Sequence, residues 1–266
     1  MRLNVSHRTE YNFDTPPAYG LQQIRLSPKS GVGQTVLDWY LEIEGAEIQA
    51  GFEDEHGNTT KLVSLDPSSN KLVISSRGLI DVGEGASVSQ SHKGRSPLWL
   101  YLRETPLTRS GEKIENLAHT INGSNDVSHF HALSADILGS VTYVTGMTGA
   151  STTAEDAMTL GQGVCQDHAH IFISACRRAG HPARYISGYL HMDDRVDQDA
   201  MHAWAEVWIE DLGWTGFDIS NGISPDNRYV RLAVGLDYNQ AAPISGLTIG
   251  GAGESMKVDI QVQQQQ

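Results

Sequence analysis

The sequence predicts an α+β fold: a β-sandwich-like N-terminal domain followed by a core in which a helix packs on an antiparallel sheet. Three patterns predict it. Apolar and polar residues alternate through the first hundred residues, the spacing turns helical after Ser96-Pro97, and a sharply bounded helix over 164–179 precedes strand-like runs and a tight hairpin. The 266-residue chain therefore divides into a β-rich unit, 1–100, and a second unit, 101–266, that includes the C-terminal strands.

Leu3, Val5, His7, Thr9 and Tyr11 alternate with Arg2, Asn4, Ser6, Arg8 and Glu10, a period of two. Leu37, Trp39, Leu41 and Ile43 repeat the pattern against Asp38, Tyr40 and Glu42. Asp54-Glu55-His56-Gly57-Asn58 is a turn cluster, and 62–65 and 72–74 carry further strand candidates. Turn signals at such short intervals suit a sandwich. Reactive side chains do not cluster here, so this domain reads as structural or substrate-shaping. Leu98, Trp99 and Leu100 connect it to segments 112–121 and 130–144, where Leu133, Ile137 and Val141 lie four apart. Thr152 and Glu155 have the spacing of a capping box for a short helix ending at the Gly161–Gly163 break.

In the next helix Val164, His168, Ile171, Phe172, Ala175, Cys176 and Ala179 share a face. Arg177 and Arg178 sit where positive charge suits the dipole, Gly180 suits a left-handed cap, and Pro182 stops continuation. A strand is expected over 184–190, and a hairpin of 201–210 and 213–219 around Glu210-Asp211-Leu212. Strands at 230–234 and 256–262 follow, and the polar tail 263–266 is too short to order itself.

A net charge of −13 repels polyphosphates, so a nucleic-acid partner is not expected. Apolar runs are too short to span a bilayer, which argues against a membrane partner. Residues 1–7 lack the apolar core of a signal peptide, so the expected location is cytoplasmic. Cys165 and Cys176 on one helix would stand roughly 16 Å apart. A disulfide needs Cα atoms within about 7 Å, so the two cannot pair, which fits a reducing compartment.

The chemistry concentrates at Cys165. A thiol at a helix N-terminus meets unpaired N–H groups and the positive end of the dipole, which stabilise a thiolate. Gly163 lets the backbone approach closely there, whereas Cys176, mid-helix on the apolar face, reads as packing. A three-residue loop at 210–212 would pair Ile209 with Gly213. It would set His202 and Asp218 on one face as diagonal neighbours, about 7–8 Å apart at Cα; a slip of one residue would separate them. Cys165, His202 and Asp218 then supply a nucleophile, a base and a group that orients the base. The Cys165 backbone N–H is a natural oxyanion donor, with Gln162, Gln166 and Tyr143 as candidates for the second. Trp204 and Trp214 are candidate cleft walls.

The run Gly163-Val164-Cys165-Gln166-Asp167-His168-Ala169-His170, with Ala183-Arg184-Tyr185-Ile186-Ser187-Gly188-Tyr189, His202-Ala203-Trp204 and Gly213–Asp218, resembles the core of bacterial transglutaminase-like proteins. The resemblance extends upstream through Tyr143, Gly146, Thr148 and Thr152–Ala154, and downstream through Val234–Tyr238, Pro243 and Gly246. The first hundred residues, including Asp54 and Gly57-Asn58, resemble the N-terminal domain that often precedes this core. The family's triad positions fall on Cys165, His202 and Asp218. Two departures stand out: His168 where relatives usually carry an apolar aromatic, and Asp218-Ile219-Ser220-Asn221 in place of Asp-Pro-Thr-Asn, which predicts a less rigid turn.

The resemblance implies a papain-like core, cysteine acyl chemistry on peptide or protein amides, and no cofactor. It leaves the acyl acceptor open, because relatives include cross-linkers, peptidases, amidases and deglycosylases, and some have lost activity. Hydrolysis is favoured over cross-linking, which needs an acceptor tunnel and water exclusion. The non-enzyme alternative is a catalytically silent peptide-binding module, against which the intact triad argues. A metal site is not expected. His168 and His170 diverge by about 200° around a helix, and the His129/His131 pair has no cysteine pair to complete a zinc site. The acidic loop Asp193, Asp194, Asp197 and Asp199 lacks the glycine and final glutamate of a calcium-binding EF-hand and reads as solvated.

Overall fold

The opening alternation is realised in a strand, β1 (Arg2–Thr15), which buries Leu3, Val5, His7 and Thr9 on one face. The structure is a computed structural model that describes residues 1–266 apart from 86, 87, 90, 91, 93, 94, 199 and 266. After β1 come β2 (Tyr19–Ser27), β3 (Gln34–Glu44), β4 (Ala46–Glu53), β5 (Thr59–Leu65), β6 (Lys71–Val82) and the short β7 (Val88–Ser89). A helical region follows: α1 (Glu112–Thr120), α2 (Val127–Ser140), β8 (Thr142–Tyr143), α3 (Ala154–Leu160), β9 (Gln162–Gly163) and α4 (Cys165–Arg178). The chain then runs through β10 (Ala183–Leu190), β11 (Asp197–Gln198), β12 (His202–Ile209), β13 (Gly213–Phe217) and β14 (Tyr229–Gly235). One turn of helix, α5 (Tyr238–Ala241), leads to β15 (Ile244–Ile249) and β16 (Ala252–Gln264).

Two antiparallel sheets, ordered β11-β16-β1-β6-β3 and β15-β2-β5-β4, enclose one apolar core. Leu3, Val5, Ile24, Val63, Ile74 and Val262 are among its fully buried members. A third sheet, β14-β10-β12-β13-β7, carries the helices. Alternate residues Ala203, Ala205, Val207 and Ile209 of β12 pack with Ile171, Phe172 and Ala175 of α4. Val230 and Leu232 of β14 reach into the core of the first two sheets, so the two halves share buried surface. Among the described residues, no helix is long and apolar enough to cross a membrane.

Several local expectations are modified. In β3 the register shifts between Val36 and Asp38, and this bulge leaves Leu37 exposed instead of inward. The capping-box reading fails because Thr153, not Thr152, caps α3, accepting from Asp156 N at 3.1 Å. Glu155 serves a neighbour instead, where its carboxylate accepts from Gly111 N, Lys113 N and Ile114 N at the start of α1. The tail does not fray: Gln263 and Gln264 pair with Asn4 and Leu3, while Gln266 lies outside the described residues. β15 and β16, grouped by sequence with the second unit, hydrogen-bond into the two N-terminal sheets, on β2 and β1. Gly180 takes the cap of α4 with φ of 89°, in a Schellman arrangement closed by His181 N to Cys176 O at 2.9 Å.

Four of the buried histidines make this fold acid-sensitive. Burial lowers His7 to about 4 and His170 to about 3, and it also lowers His168 and His181. Each has a folded-state pKa below its unfolded value of 6.5. Each therefore contributes stability above that value, which is lost as pH falls and the unfolded chain takes up the proton. Urea midpoints should fall steadily from pH 7 to pH 5. The slope approaches about 1.4 kcal/mol per pH unit for each such histidine. A flat profile over that range would show these side chains to be protonated in the folded state.

Candidate active site

Helix α4 begins at Cys165, and its first turn is built to hold that residue. The Asp167 carboxylate, nearly fully buried, accepts from Val164 N at 2.7 Å and from the Thr148 hydroxyl at 2.6 Å. An acidic side chain at this third position closes the helix end back on itself. Gly163 makes room for it: a Cβ there would stand 2.7 Å from the Asp167 Cβ. The parallel pairing of β8 with β9 sets Tyr143 beside Gly163, two residues before the thiol.

The β12–β13 hairpin has the register required to unite histidine and carboxylate. Ile209 pairs with Gly213 and Ala205 with Phe217, and Asp211 turns the loop with φ of 69°. His202 Nε2 donates to Asp218 Oδ2 at 2.6 Å. The same oxygen accepts from Tyr229 Oη and Asn221 Nδ2, each at 2.7 Å, and Asp218 Oδ1 accepts from Asn221 N at 3.2 Å. Backbone bonds in both directions with Ile223 also close the turn after Asp218. Asn221 and Tyr229 thus hold the carboxylate. The Asp-x-x-Asn spacing signals the first, but Tyr229 comes from another strand and leaves no local signal.

The electrostatics follow from this geometry. Burial opposes charge on His202, but hydrogen bonding to Asp218 and to Cys165 outweighs it, raising the imidazole to about 10. Asp218 is likewise penalised by burial, yet its bonds to His202, Asn221 and Tyr229 hold it below the usual carboxylate range. With Nε2 committed to Asp218, Nδ1 is the nitrogen left for the thiol. Burial, with the charge of Cys165, pushes the Tyr143 phenol up to about 12, so it keeps its proton and remains a donor.

Cys165, His202, Tyr143 and Gln166 line one cleft of about 380 Å³. Gln162 does not line it. His7, Thr9 and Tyr11 of β1 and Met256 and Val258 of β16 form part of its wall, so the N-terminal sheets shape this space. Trp204 and Trp214 do not wall the cleft, because both are buried elsewhere. Trp204 packs with Ile186, Leu190 and Tyr229 behind His202, and Trp214 packs with Tyr101 and Leu236 under the Arg184 guanidinium. Both lie on the sheet face that also carries His202, and it is their cover, Tyr229 and Leu190 over Trp204 and Tyr101 and Leu236 over Trp214, that closes them off from the cleft.

The two departures from the family pattern meet in space. His168 Nε2 donates to Val141 O at 2.9 Å, and its Nδ1 accepts from the Ser220 hydroxyl at 3.3 Å, while the ring stacks against Tyr143. A polar side chain on α4 is therefore matched by a polar one in the turn after Asp218. His170 turns elsewhere, accepting from Tyr238 N at 3.1 Å. Cys176 is fully buried, and burial raises its thiol well above the ordinary range. Asp199 of the acidic loop lies outside the described residues, and among the described residues no three His, Cys, Asp or Glu side chains group as metal ligands.

Comparison with known proteins matches residues 115–219 to the transglutaminase-like superfamily core and residues 3–81 to the bacterial transglutaminase-like N-terminal region. An uncharacterized protein of Mycobacterium leprae is 26% identical over 280 residues, spanning 98% of both chains. A protein-glutamine gamma-glutamyltransferase of Pseudomonas aeruginosa is 29% identical over 115 residues, covering 39% of this chain and 17% of that protein. The crystal structure of a candidate cysteine protease from Cytophaga hutchinsonii superposes with a TM-score of 0.76 at 23% identity, covering 100% of this chain and 92% of that one, a likeness of fold.

Proposed function

Because the chain joins a transglutaminase-like core to a bacterial transglutaminase-like N-terminal region, we propose that it is a cysteine amidase or acyltransferase acting on amide bonds of peptides or proteins. The observation that carries this reading is the 2.6 Å bond between buried Asp218 and His202, which lines one cleft with Cys165. In the proposed cycle the Cys165 thiolate attacks the amide carbon, and the oxyanion is met by the Cys165 backbone N–H. Tyr143 is the favoured second donor over Gln166, since it stands beside Cys165 and stays protonated. The tetrahedral intermediate collapses, the C–N bond breaks, and the amine leaves with a proton from the His202 imidazolium. Neutral His202 then takes a proton from water as the water attacks the thioester, and the C–S bond breaks to release the acid and restore the Cys165 thiolate beside the His202 imidazolium.

Hydrolysis is favoured because it needs no separate acceptor channel. Tyr11, Tyr185, Met201, Ile244, Met256 and Val258 give the cleft uncharged walls, which suit an apolar side chain beside the reacting amide. Three assays on one preparation test the reading: ammonia release from glutaminyl peptides, incorporation of a fluorescent primary amine, and cleavage of a peptide library. Hydrolytic products are expected to dominate and to vanish in Cys165→Ala. Amine incorporation exceeding hydrolysis would reassign the protein as a transferase, and silence in all three assays would favour a binding module.

A further inference from the structure

A second cavity, of about 340 Å³, shares no lining residue with the Cys165 cleft. It lies between the 29–34 segment, the 56–58 turn and the edge strand β14, and its charge is unbalanced. Arg184 and Arg231 both line it, and both are bound to the same carboxylate. Arg184 donates to Glu206 Oε2 through Nε at 2.7 Å and Nη2 at 2.6 Å, and Arg231 pairs with Glu206 Oε1. Glu206 is buried, so two guanidiniums share one negative charge. Lys29 and Arg95 at the rim share the Glu53 carboxylate, at 2.6 and 3.6 Å. Among the described residues four cations therefore face two carboxylates and two positive charges are left over, in a chain whose net charge is −13.

Three features fix this arrangement in place. A register shift against Ser187/Gly188 makes a bulge in β14 at Leu232, which turns Arg231, Leu232 and Val234 toward one cavity. The Gln34 amide clamps the Arg231 backbone at both ends, accepting from Arg231 N at 2.8 Å and donating to Arg231 O at 2.9 Å. The Arg184 guanidinium carbon sits over the Trp214 ring, 4.0 Å from its centroid. Burial and the neighbouring Arg184 pull the Arg231 guanidinium down to about 9, a penalty that a bound anion would relieve.

We propose that this cavity binds a small molecule bearing a carboxylate or phosphate group, whose oxygens the Arg231 guanidinium takes while Val32, Leu232 and Val234 meet its apolar part. The planar guanidinium fork suits either oxyanion. Isothermal titration with inorganic phosphate, acetate and benzoate, at ionic strength fixed with potassium chloride, tests it. Saturable one-to-one binding of at least one probe is expected, and the probe that binds tells phosphate from carboxylate. Arg231→Gln should weaken it by about 10-fold or more. Val32→Trp, at an exposed position, should block it sterically should the arginine variant fail to fold. Alkylation of Cys165 should be unchanged in both variants, which separates this site from the catalytic one. Absence of binding by all three probes, or binding equal in wild type and both variants, would overturn the proposal.

Discussion

Replacing His202 with alanine is expected to slow both turnover and iodoacetamide alkylation of Cys165, turnover by about 10³-fold or more. In the proposed cycle the imidazole has two duties, to hold positive charge beside the thiolate and to hand a proton to the leaving amine, and alanine removes both. Its pKa, raised to about 10, means that the imidazolium persists through neutrality. The alkaline limb of activity should therefore fall near pH 10 and not near the unperturbed 6.5. Asp218→Asn keeps the shape of the side chain but removes the charge that sustains the imidazolium. That limb should then move down by several pH units, with a loss of rate comparable to that of His202→Ala. Cys176 is an internal reference, since it is fully buried and its thiol is raised, so it should remain unlabelled in native protein at pH 6. Equal and slow labelling of both cysteines in wild type, unaffected by His202→Ala, would remove the basis for an activated nucleophile.

The parts of the site legible in the sequence are those set by local geometry. The three-residue loop at 210–212 determines the pairing of Ile209 with Gly213. Strand parity then places His202 and Asp218 on one face without knowledge of the rest of the fold. The glycine break before Cys165 and the Gly180 cap likewise bound α4 from within. What was not legible depends on partners far along the chain. Glu155 has capping-box spacing, yet it caps α1, more than forty residues away, because α1 and α3 pack side by side. Trp204 and Trp214 look like cleft walls by proximity to His202 and Asp218, but which space a strand residue faces depends on what covers each side of the sheet. The return of β16 onto β1, which brings Met256 and Val258 to the cleft, is a pairing across more than two hundred residues that no local pattern encodes.

Arg177 is the residue whose sequence reading departs furthest from its structural role, and Arg177→Met should lower stability by about 3–5 kcal/mol. Its place in the last turn of α4 suggests a charge complementing the helix dipole, and that description suits Arg178, which is exposed and pairs with Glu115 at 3.1 Å. Arg177 instead points inward, where burial lowers it only to about 10, so it stays charged at neutral pH. Nε donates to Tyr101 O at 3.0 Å and to Ala183 O at 3.2 Å, and Nη1 donates to the Thr108 hydroxyl at 2.9 Å. Nη2 donates to Ala183 O at 2.8 Å and to Leu236 O at 2.6 Å. One side chain thereby ties the linker from the N-terminal sheets, the start of β10 and the end of β14 to the helix that carries Cys165. Methionine preserves the bulk but strands these buried acceptors, and each unsatisfied group costs about 1–3 kcal/mol. Lysine should not rescue the loss, because one ammonium cannot span acceptors arranged around a planar fork. Urea unfolding of Arg177→Met, Arg177→Lys and Arg178→Ala tests this, with the last expected to change stability by less than about 0.5 kcal/mol. If Arg177→Met unfolds at the same urea concentration as Arg178→Ala, the guanidinium is not what joins these segments.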